Sequence, residues 1–281
     1  MPEPSSTATL TTPSGHKIFT RQWSASGSPK AVLVITHGIG DHSGRYGNHA
    51  AALTAAGYAL YAYDIRGHGN TEGVRGSVRN HGVLLEDLQH VVNAAKEAYP
   101  GLPLILFGHS MGGNITLHYA HRHPQGITAV VATSPWLRLS FAPPAHLVLI
   151  GRLLKVLSPT FPLDSPLDPT GVSRDLAEVE KYKQDPLIHS KVSAGLGIDA
   201  MQIGEWLLAN ASQMTLPLYI AHGSGDRLTS PAASAEYFEK TSSTVKKRMV
   251  YEGWYHELHH ELEKDQFFED LIAWLDSIIT P

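Results

Sequence analysis

Short apolar runs alternate with longer amphipathic stretches along most of the chain. The apolar runs lie at residues 31–36, 58–63, 102–107, 127–133, 216–221 and 248–251, and each has the length of a buried strand. The stretches at 45–56, 83–98, 111–123, 231–240 and 264–279 have the length and mixed polarity of helices. Continuously apolar strands that alternate with helices predict an α/β protein with a mostly parallel sheet covered on both faces.

This alternation breaks between residues 135 and 215, where eight prolines fall. We expect residues 135–215 to form a cap inserted between two strands of the sheet. Residues 1–134 and 216–281 would then form the core domain. The first 14 residues are rich in Ser, Thr and Pro, and we expect them to be loose.

One segment carries the pattern of a serine nucleophile. Gly108-His109-Ser110-Met111-Gly112 matches G-x-S-x-G, follows an apolar run and precedes a helical stretch. In this strand–turn–helix setting the pattern exposes a serine hydroxyl at the carboxyl end of a sheet. Ser110 is therefore the candidate nucleophile, with an ordinary tight turn as the alternative.

A serine nucleophile needs a base, and the base needs an acid that orients it. Asp226 and His256 each follow an apolar run, in the chain order Ser, acid, His. Because the carboxyl ends of parallel strands meet at one edge, the three side chains are expected to lie together. Asp64 also ends a strand, but it precedes Ser110 and opens a Gly-rich turn, which favours Asp226 as the acid.

An oxyanion hole requires two backbone N–H donors near the nucleophile. One is the N–H of the residue after the serine, and the other comes from the loop that follows an earlier strand. The turn His37-Gly38-Ile39-Gly40 follows the first apolar run. The predicted donors are therefore Ile39 and Met111.

Two other patterns compete for the same segments. Residues 256–260 read His-Glu-Leu-His-His and match H-E-x-x-H, a zinc-peptidase signature that works only within a helix. The closeness of a preceding strand favours a loop there instead. Gly38-x-Gly40 resembles the start of a dinucleotide-binding turn, but the third glycine, Gly44, falls one residue late. Neither pattern accounts for the serine motif, so we expect neither a metal nor an organic cofactor.

The charge balance narrows the classes of partner. The chain has 22 Lys and Arg against 26 Asp and Glu, and no basic run exceeds Lys246-Lys247-Arg248. Nucleic acid is therefore not an expected partner.

The chain has no cysteine, which excludes a disulfide framework and a cysteine nucleophile. The N-terminus lacks a signal-peptide pattern and no window holds about 18 consecutive apolar residues, so we expect a cytoplasmic protein.

Taken together, the motifs resemble those of monoacylglycerol lipases and the related lysophospholipase-like α/β-hydrolases. The resemblance is carried by residues 37–46, 64–69, 108–113, 185–187 and 253–261. It implies the α/β-hydrolase fold with a cap, and cleavage of monoacylglycerols to fatty acid and glycerol through an acyl-enzyme, without a cofactor. A lysophospholipase, a short-chain carboxylesterase, an aminopeptidase and a non-catalytic ligand receptor are the alternatives.

The resemblance also implies a polar pocket for the glycerol head of a small lipid ester. Tyr182, Arg45, Asp41 and His259 stand at the positions that line this pocket in the family. Asp41 stands where Glu is usual, so its reach is shorter. Ile39 replaces a small residue, which puts the acyl-chain preference in doubt.

Residues 145–157 read as an apolar helix whose only fixed charges are Arg152 and Lys155. Such a helix is too short for a bilayer, which takes about 20 residues. It could line an acyl tunnel, lie buried against the core, or dip into a lipid surface. The last alternative predicts a transient, peripheral contact with membranes through the cap.

Overall fold

A computed structural model describes residues 2–165 and 167–279. The strands of the described chain are β1 (Ser6–Thr11), β2 (Lys17–Trp23), β3 (Ala31–Thr36), β4 (Tyr58–Tyr63), β5 (Leu104–His109), β6 (Ala129–Thr133), β7 (Pro162–Asp164), β8 (Lys191–Ser193), β9 (Leu218–Gly223) and β10 (Lys246–Tyr251). Eight of them form one sheet in the order β1-β2-β4-β3-β5-β6-β9-β10. All neighbours from β4 to β10 in this order are parallel, which confirms the predicted α/β sheet.

The expectation that the first 14 residues are loose is wrong. β1 pairs antiparallel with β2, and β2 pairs antiparallel with β4 at the edge of the sheet. β1 is almost wholly exposed and reads Ser-Thr-Ala-Thr-Leu-Thr, so no apolar pattern reveals it. β2 was also missed, although Ile18 and Thr20 are buried at the two-residue spacing of a half-buried strand.

Helices cover both faces of the sheet. They are α1 (Gly47–Ala55), α2 (His81–Ala98), α3 (Met111–Arg122), α4 (Ala145–Leu157), α5 (Leu176–Gln184), α6 (Ala194–Ala209), α7 (Pro231–Lys240) and α8 (Lys264–Ile279). Leu33 of β3 shares an apolar cluster with Leu271 of α8, whereas the adjacent Val34 shares one with Leu88 of α2 and Ile115 of α3. Since successive strand residues point to opposite faces, one strand supplies both cores.

Residues 135–215, called the cap segment below, lie between β6 and β9. They contain α4, α5, α6 and the antiparallel pair of β7 and β8. Leu196 and Leu207 of α6 belong to the same apolar cluster as residues of α2 and α3, so α6 packs into the core. Pro166, one of the eight prolines of this segment, lies outside the described residues.

α4 forms over residues 145–157 as predicted, and it is not buried against the core. Gly151 is its one buried residue, and a Cβ there would lie 3.0 Å from Cδ1 of Ile198 on α6. The apolar side chains between 48% and 80% exposed on this helix are Leu147, Leu149, Ile150, Leu153, Val156 and Leu157. Across the described residues, we find no helix with the length and apolar character needed to span a membrane.

The carboxyl ends of the parallel strands meet at one edge of the sheet. Thr36 at the end of β3 pairs with Gly108 of β5, and Tyr251 at the end of β10 pairs with Gly223 of β9. The segments that directly follow these strands carry all the triad and oxyanion-hole residues predicted from the sequence, with Met111 at the start of α3.

Candidate active site

Ser110 lies in a strained turn between β5 and α3. Its backbone has φ 56° and ψ −119°, a region that residues with side chains rarely adopt. Close packing of two glycines makes the turn possible. A Cβ on Gly112 would lie 2.0 Å from the Thr36 carbonyl oxygen, and one on Gly108 would lie 2.3 Å from the Gly112 carbonyl oxygen. The G-x-S-x-G pattern therefore has a steric basis at each glycine.

Asp226 and His256 form a direct hydrogen-bonded pair. His256 Nδ1 donates to Oδ2 of Asp226 across 2.7 Å, which leaves Nε2 as the unprotonated nitrogen of the neutral ring. The other carboxylate oxygen accepts the backbone N–H groups of Leu228 and Thr229, at 2.7 and 3.1 Å. His222 Nε2 donates to Oδ2 from 2.9 Å. The acid is thus fixed in place from several sides.

The surroundings shift the pKa values of these two side chains in opposite directions. Burial alone would raise the pKa of the Asp226 carboxyl, but the charge and hydrogen bonds of His256 and His222 hold it far below its usual range. Burial alone would lower the pKa of the His256 ring. Asp226, with smaller contributions from Glu257 and Asp41, raises that pKa above its ordinary value. The surroundings therefore stabilise an imidazolium at His256, as a general base requires after it takes a proton.

The loop after β3 is held by His37 beneath it. His37 Nδ1 donates to the Gly38 carbonyl oxygen at 2.7 Å, and Nε2 accepts the Ile65 N–H at 2.9 Å. Gly38 lies against the nucleophile turn, since a Cβ there would approach Cβ of Ser110 to 3.3 Å. Ile39 follows directly. Its predicted partner is Met111, the first residue of α3, and the first N–H of a helix has no acceptor within that helix.

The cap segment contacts this same loop. The His189 backbone N–H donates to the Gly40 carbonyl oxygen at 3.1 Å. Gly40 has φ 70°, and a Cβ there would lie 2.2 Å from the His189 carbonyl oxygen. His42 Nε2 also lies 3.0 Å from Oδ2 of Asp185 in the cap segment. Cap and loop are therefore joined on both sides of Asp41.

A cavity of about 290 Å³ opens at Ser110 and His256. Its polar lining includes Asp41, Tyr182 and Glu257, together with Asp168 and Lys183, which are exposed. Its apolar lining includes Ile39, Leu167, Val172, Ile188 and Leu228. Both candidate reacting side chains thus face a cavity with a mixed lining. Its polar residues Asp41, Tyr182 and Glu257 are called the polar wall below, and its apolar residues the apolar wall.

Arg45 is the centre of a buried ionic network behind the polar wall. It donates to both Glu257 oxygens, at 2.8 and 2.6 Å, and to Oδ1 of Asp41 at 3.1 Å. Its guanidinium carbon lies 4.8 Å from the centre of the Tyr182 ring. The structure therefore brings Arg45, Asp41 and Tyr182 together, as the resemblance implies. Asp41 and Tyr182 line the cavity, whereas Arg45 is not among its lining residues in the described chain.

His259 has a different position from the one the resemblance implies. It is fully buried, stacks on Tyr46 with ring centres 5.3 Å apart, and contacts His49 and His109. In the described chain it is not among the cavity-lining residues, because the His109 ring intervenes in the cluster next to His256. A direct contact of His259 with the glycerol head does not fit this placement.

The zinc-peptidase pattern lacks the helix that it requires. His256 lies in irregular chain, and a short 3-10 turn spans only Leu258–His260. Glu257, His259 and His260 do place ligand atoms within 4.8 Å of one another. A guanidinium nitrogen of Arg45 already lies 2.6 Å from Glu257 and 2.9 Å from His260, so a cation occupies this cluster.

Sequence reasoning missed three residues that bear on the site. Glu257 follows His256 directly and could be read only as part of the zinc pattern. His222 lies near the end of β9, four residues before Asp226. Its place at the carboxyl end of a strand, the same edge as Asp226, could have indicated that it lies near the site. Ser134 follows β6 with φ 44°, which nothing in the sequence reveals.

Comparison with known proteins places the chain in a family. Residues 27–263 match the family described as serine aminopeptidase, S33. A monoacylglycerol lipase of Mycolicibacterium smegmatis is 35% identical over 264 residues, which cover 94% of each chain. An abhydrolase domain-containing protein of Dictyostelium discoideum is 34% identical over 96% of this chain, which spans only 29% of that longer protein.

Solved structures give the same result. The monoacylglycerol lipase of Paleococcus ferrophilus has a TM-score of 0.85 and 32% identity, covering 92% of this chain and 98% of that one. A soluble variant of monoglyceride lipase from Saccharomyces cerevisiae, in complex with a substrate analog, has a TM-score of 0.90 and 26% identity, covering 100% and 97%. The chain therefore belongs to the family described as serine aminopeptidase, S33, and is similar over most of its length to these monoacylglycerol lipases.

Proposed function

We propose that this chain is a carboxylic ester hydrolase that cleaves monoacylglycerols to free fatty acid and glycerol. The observation that carries the proposal is the cavity at Ser110 and His256, which combines a polar wall with an apolar one. The polar wall suits hydroxyl groups, and the apolar wall suits an acyl chain. The relatives from Mycolicibacterium smegmatis and Paleococcus ferrophilus, both named monoacylglycerol lipases, support the same substrate class.

The first half of the reaction forms an acyl-enzyme. His256 Nε2 takes the proton of the Ser110 hydroxyl as its oxygen attacks the ester carbonyl carbon. Asp226 keeps the proton on Nδ1 and stabilises the imidazolium. The N–H groups of Ile39 and Met111 hold the tetrahedral oxyanion. The C–O bond to glycerol then breaks, and the glycerol oxygen takes the proton from Nε2.

The second half releases the fatty acid. Water gives a proton to His256 Nε2 and attacks the acyl carbon, forming a second tetrahedral oxyanion at the same two N–H donors. Collapse of this intermediate breaks the bond to Ser110, and the serine oxygen takes back the proton from His256. Each half of the reaction therefore ends with the imidazole neutral.

The glycerol head would bind at the polar wall. Oδ2 of Asp41 is buried and has no hydrogen-bond partner among the described residues, so it is available to a hydroxyl donor. Tyr182 lines the same wall. Arg45 would act through these two residues, because its guanidinium lies behind them and holds Asp41 in place.

The exposed side of α4 supports a second part of this proposal, namely that the protein makes a transient contact with lipid surfaces. Its exposed apolar side chains would enter the boundary between head groups and acyl chains. Monoacylglycerols partition into membranes, so such a contact would bring the cavity to its substrate. The helix would lie in the interface without crossing it, since it is only 13 residues long.

Fatty-acid release from monoacylglycerols tests the proposal, run beside di- and triacylglycerols, a lysophosphatidylcholine and a short alkyl ester. We expect monoacylglycerols to be turned over fastest, with the activity lost in Ser110→Ala. Ser242→Ala, which removes an exposed hydroxyl elsewhere, serves as the matched control. Preference for the lysophospholipid or the short ester would overturn the substrate class. Activity that survives in Ser110→Ala would overturn the nucleophile.

A further inference from the structure

The polar wall of the cavity has an excess of buried negative charge. Asp41 and Glu257 are each 3% exposed, and both line the cavity. Among the described residues, the Arg45 guanidinium bridges the two carboxylates, and the His260 ring forms a hydrogen bond with Glu257 at 2.8 Å. Burial alone would raise the pKa of the Glu257 carboxyl, but the charge and hydrogen bonds of Arg45, with His260, hold it well below its usual range. Glu257 is therefore ionised, and two carboxylates share a single guanidinium.

Arg45 has little capacity left to bind an anionic ligand. One of its terminal nitrogens donates to Asp41 and to Glu257, and the other donates to Glu257 and lies 2.9 Å from Nδ1 of His260. A guanidinium usually recognises phosphate through paired N–H donors on one edge. Here the terminal nitrogens are engaged by the protein, and the arginine lies behind the cavity wall.

The charges at the exposed part of the cavity differ from this buried set. Asp168 and Lys183 are both solvent-exposed, and the Asp168 carboxylate accepts hydrogen bonds from the N–H and hydroxyl of Thr170. Water and salt screen exposed charges strongly, whereas buried ones are screened much less. The sign of the field that a bound head group meets is therefore set by Asp41 and Glu257.

We infer that Glu257, together with Asp41, makes the head-group pocket selective for neutral, hydroxyl-bearing leaving groups and excludes those that carry a phosphate. This rests on the proposed function and specifies its substrate class. A glycerol hydroxyl can donate a hydrogen bond to a carboxylate, whereas a fully ionised phosphate has no proton to donate and is repelled by it. Repulsion between a phosphate charge and one buried carboxylate about 7 Å away, at an effective dielectric constant near 20, would weaken binding of the head group roughly 10- to 50-fold.

Three decanoyl esters test this inference: those of glycerol, glycerol phosphate and methanol. They share the acyl chain and the scissile bond, so the methyl ester normalises each variant for changes in the catalytic machinery. In the unmodified enzyme we expect the glycerol phosphate ester to be cleaved at least about tenfold less efficiently than the glycerol ester. In Glu257→Gln, the normalised kcat/KM for the glycerol phosphate ester should rise about tenfold, while that for the glycerol ester rises by less than twofold.

Glu252→Gln is the matched control, because it makes the same chemical change at an exposed carboxylate five residues earlier. It should leave both normalised ratios within about twofold of the unmodified enzyme. If Glu257→Gln does not fold, Asp41→Asn removes the second buried charge and should change the ratio in the same direction. A folded variant with an unchanged ratio, or an unmodified enzyme that cleaves both glycerol esters equally, would overturn the inference while leaving monoacylglycerol hydrolysis intact. Cleavage of the methyl ester without cleavage of the glycerol ester would instead overturn the proposed function itself.

Discussion

The hydroxyl of Ser134 donates a hydrogen bond to the backbone carbonyl oxygen of His256 across 2.7 Å. Ser134 is fully buried and has φ 44°, so the chain adopts a strained conformation immediately after β6. Its own carbonyl oxygen lies 3.0 Å from the hydroxyl of Thr229, which is also 3.0 Å from Oδ2 of Asp226. One residue thus connects the loop of the acid with the loop of the histidine.

A buried acceptor that loses its donor typically costs roughly 1–3 kcal/mol of stability. If about 1.4 kcal/mol of this loss falls on the transition state through the displaced His256, Ser134→Ala reduces kcat/KM by about tenfold. The positioning role predicts a fall in kcat with a smaller change in KM. Ser277→Ala, which removes a hydroxyl that donates to the Trp274 carbonyl oxygen on α8, is the matched control. Equal activity of the Ser134 and Ser277 variants would show that this hydrogen bond has no part in catalysis.

Asp226→Asn should lower kcat by about 10⁴-fold, as expected when the orienting acid of such a triad no longer fixes the imidazole tautomer. The fold should remain, because the amide preserves the shape of the side chain. Steady-state kinetics with circular dichroism separates the two effects. A loss below about tenfold in a folded variant would point to another acid.

The acid limb of the pH profile should lie above pH 6.5, since the pKa of His256 is raised from that ordinary value. The histidine must be neutral to act as a base, so kcat/KM falls as pH drops through its pKa. Burial opposes this rise, whereas Asp226, Glu257 and Asp41 favour it. The neighbouring His109 ring stays neutral, because burial holds its pKa well below the ordinary value.

Glu257→Gln should then move the acid limb to lower pH, because it removes one of the charges that stabilise the imidazolium. Glu252→Gln should leave the limb in place. The measurement is kcat/KM for a neutral ester over the pH range of the limb. A shift to higher pH in Glu257→Gln would contradict this assignment of the charges around His256.

Arg45→Met should destabilise the fold by about 3–5 kcal/mol near neutral pH, because it leaves two buried carboxylates without a cation. The folded pKa of Glu257 lies below its ordinary value of 4.5, so this carboxylate stabilises the unmodified protein above that pH. That contribution is lost as the pH falls through the folded pKa. The difference in the free energy of unfolding between the variant and the unmodified protein should therefore become smaller at acidic pH.

Urea unfolding at neutral and acidic pH measures this difference. Arg138→Met is the matched control, because Arg138 is 40% exposed and pairs with Glu205 and Glu236 near the surface. Its loss should change the free energy of unfolding by less than about 1 kcal/mol. Equal effects of the two substitutions would show that the Arg45 network contributes no more than a surface ion pair.

Substitution of Leu149 and Val156 by Ser should reduce binding of the protein to phospholipid vesicles, since these side chains are 68% and 80% exposed on α4. Hydrolysis of a soluble short ester should be retained, because neither residue lines the cavity in the described chain. Leu176→Ser is the matched control at an equally exposed apolar residue on α5. Vesicle binding that falls equally in the control would argue against a specific role of α4.

The core of the fold was predictable because its strands are continuously apolar. β3 and β4 occur over the predicted residues, since strands buried on both faces leave a clear run in the sequence. β1 was not predictable, because its burial is too slight to constrain its composition. The packing of α6 into the core could not be predicted either, because the sequence of an inserted helix does not show which other helices it will pack against.

The convergence of the three residues predicted as a triad followed from topology, whereas the arrangement of the predicted head-group pocket did not. The carboxyl ends of parallel strands meet at one edge of the sheet, and Ser110, Asp226 and His256 follow such ends. Their closeness could therefore be predicted without knowing which way each side chain points. The placement of His259 depends on how the 3-10 turn Leu258–His260 directs its rings, which tertiary packing against Tyr46 decides. The role of Glu257 as the partner of Arg45 joins residues that are 212 positions apart, and no local pattern specifies it.

Hydrolysis by the proposed mechanism requires Ser110 to carry the acyl group of the monoacylglycerol between the two halves of the reaction. Rapid acid quenching of the enzyme while it hydrolyses decanoylglycerol, followed by proteolysis and mass spectrometry, tests this directly. We predict a decanoyl adduct on the peptide that contains Ser110, absent from Ser110→Ala and present in Ser242→Ala. An adduct on another residue, or full turnover by Ser110→Ala, would show that Ser110 is not the nucleophile.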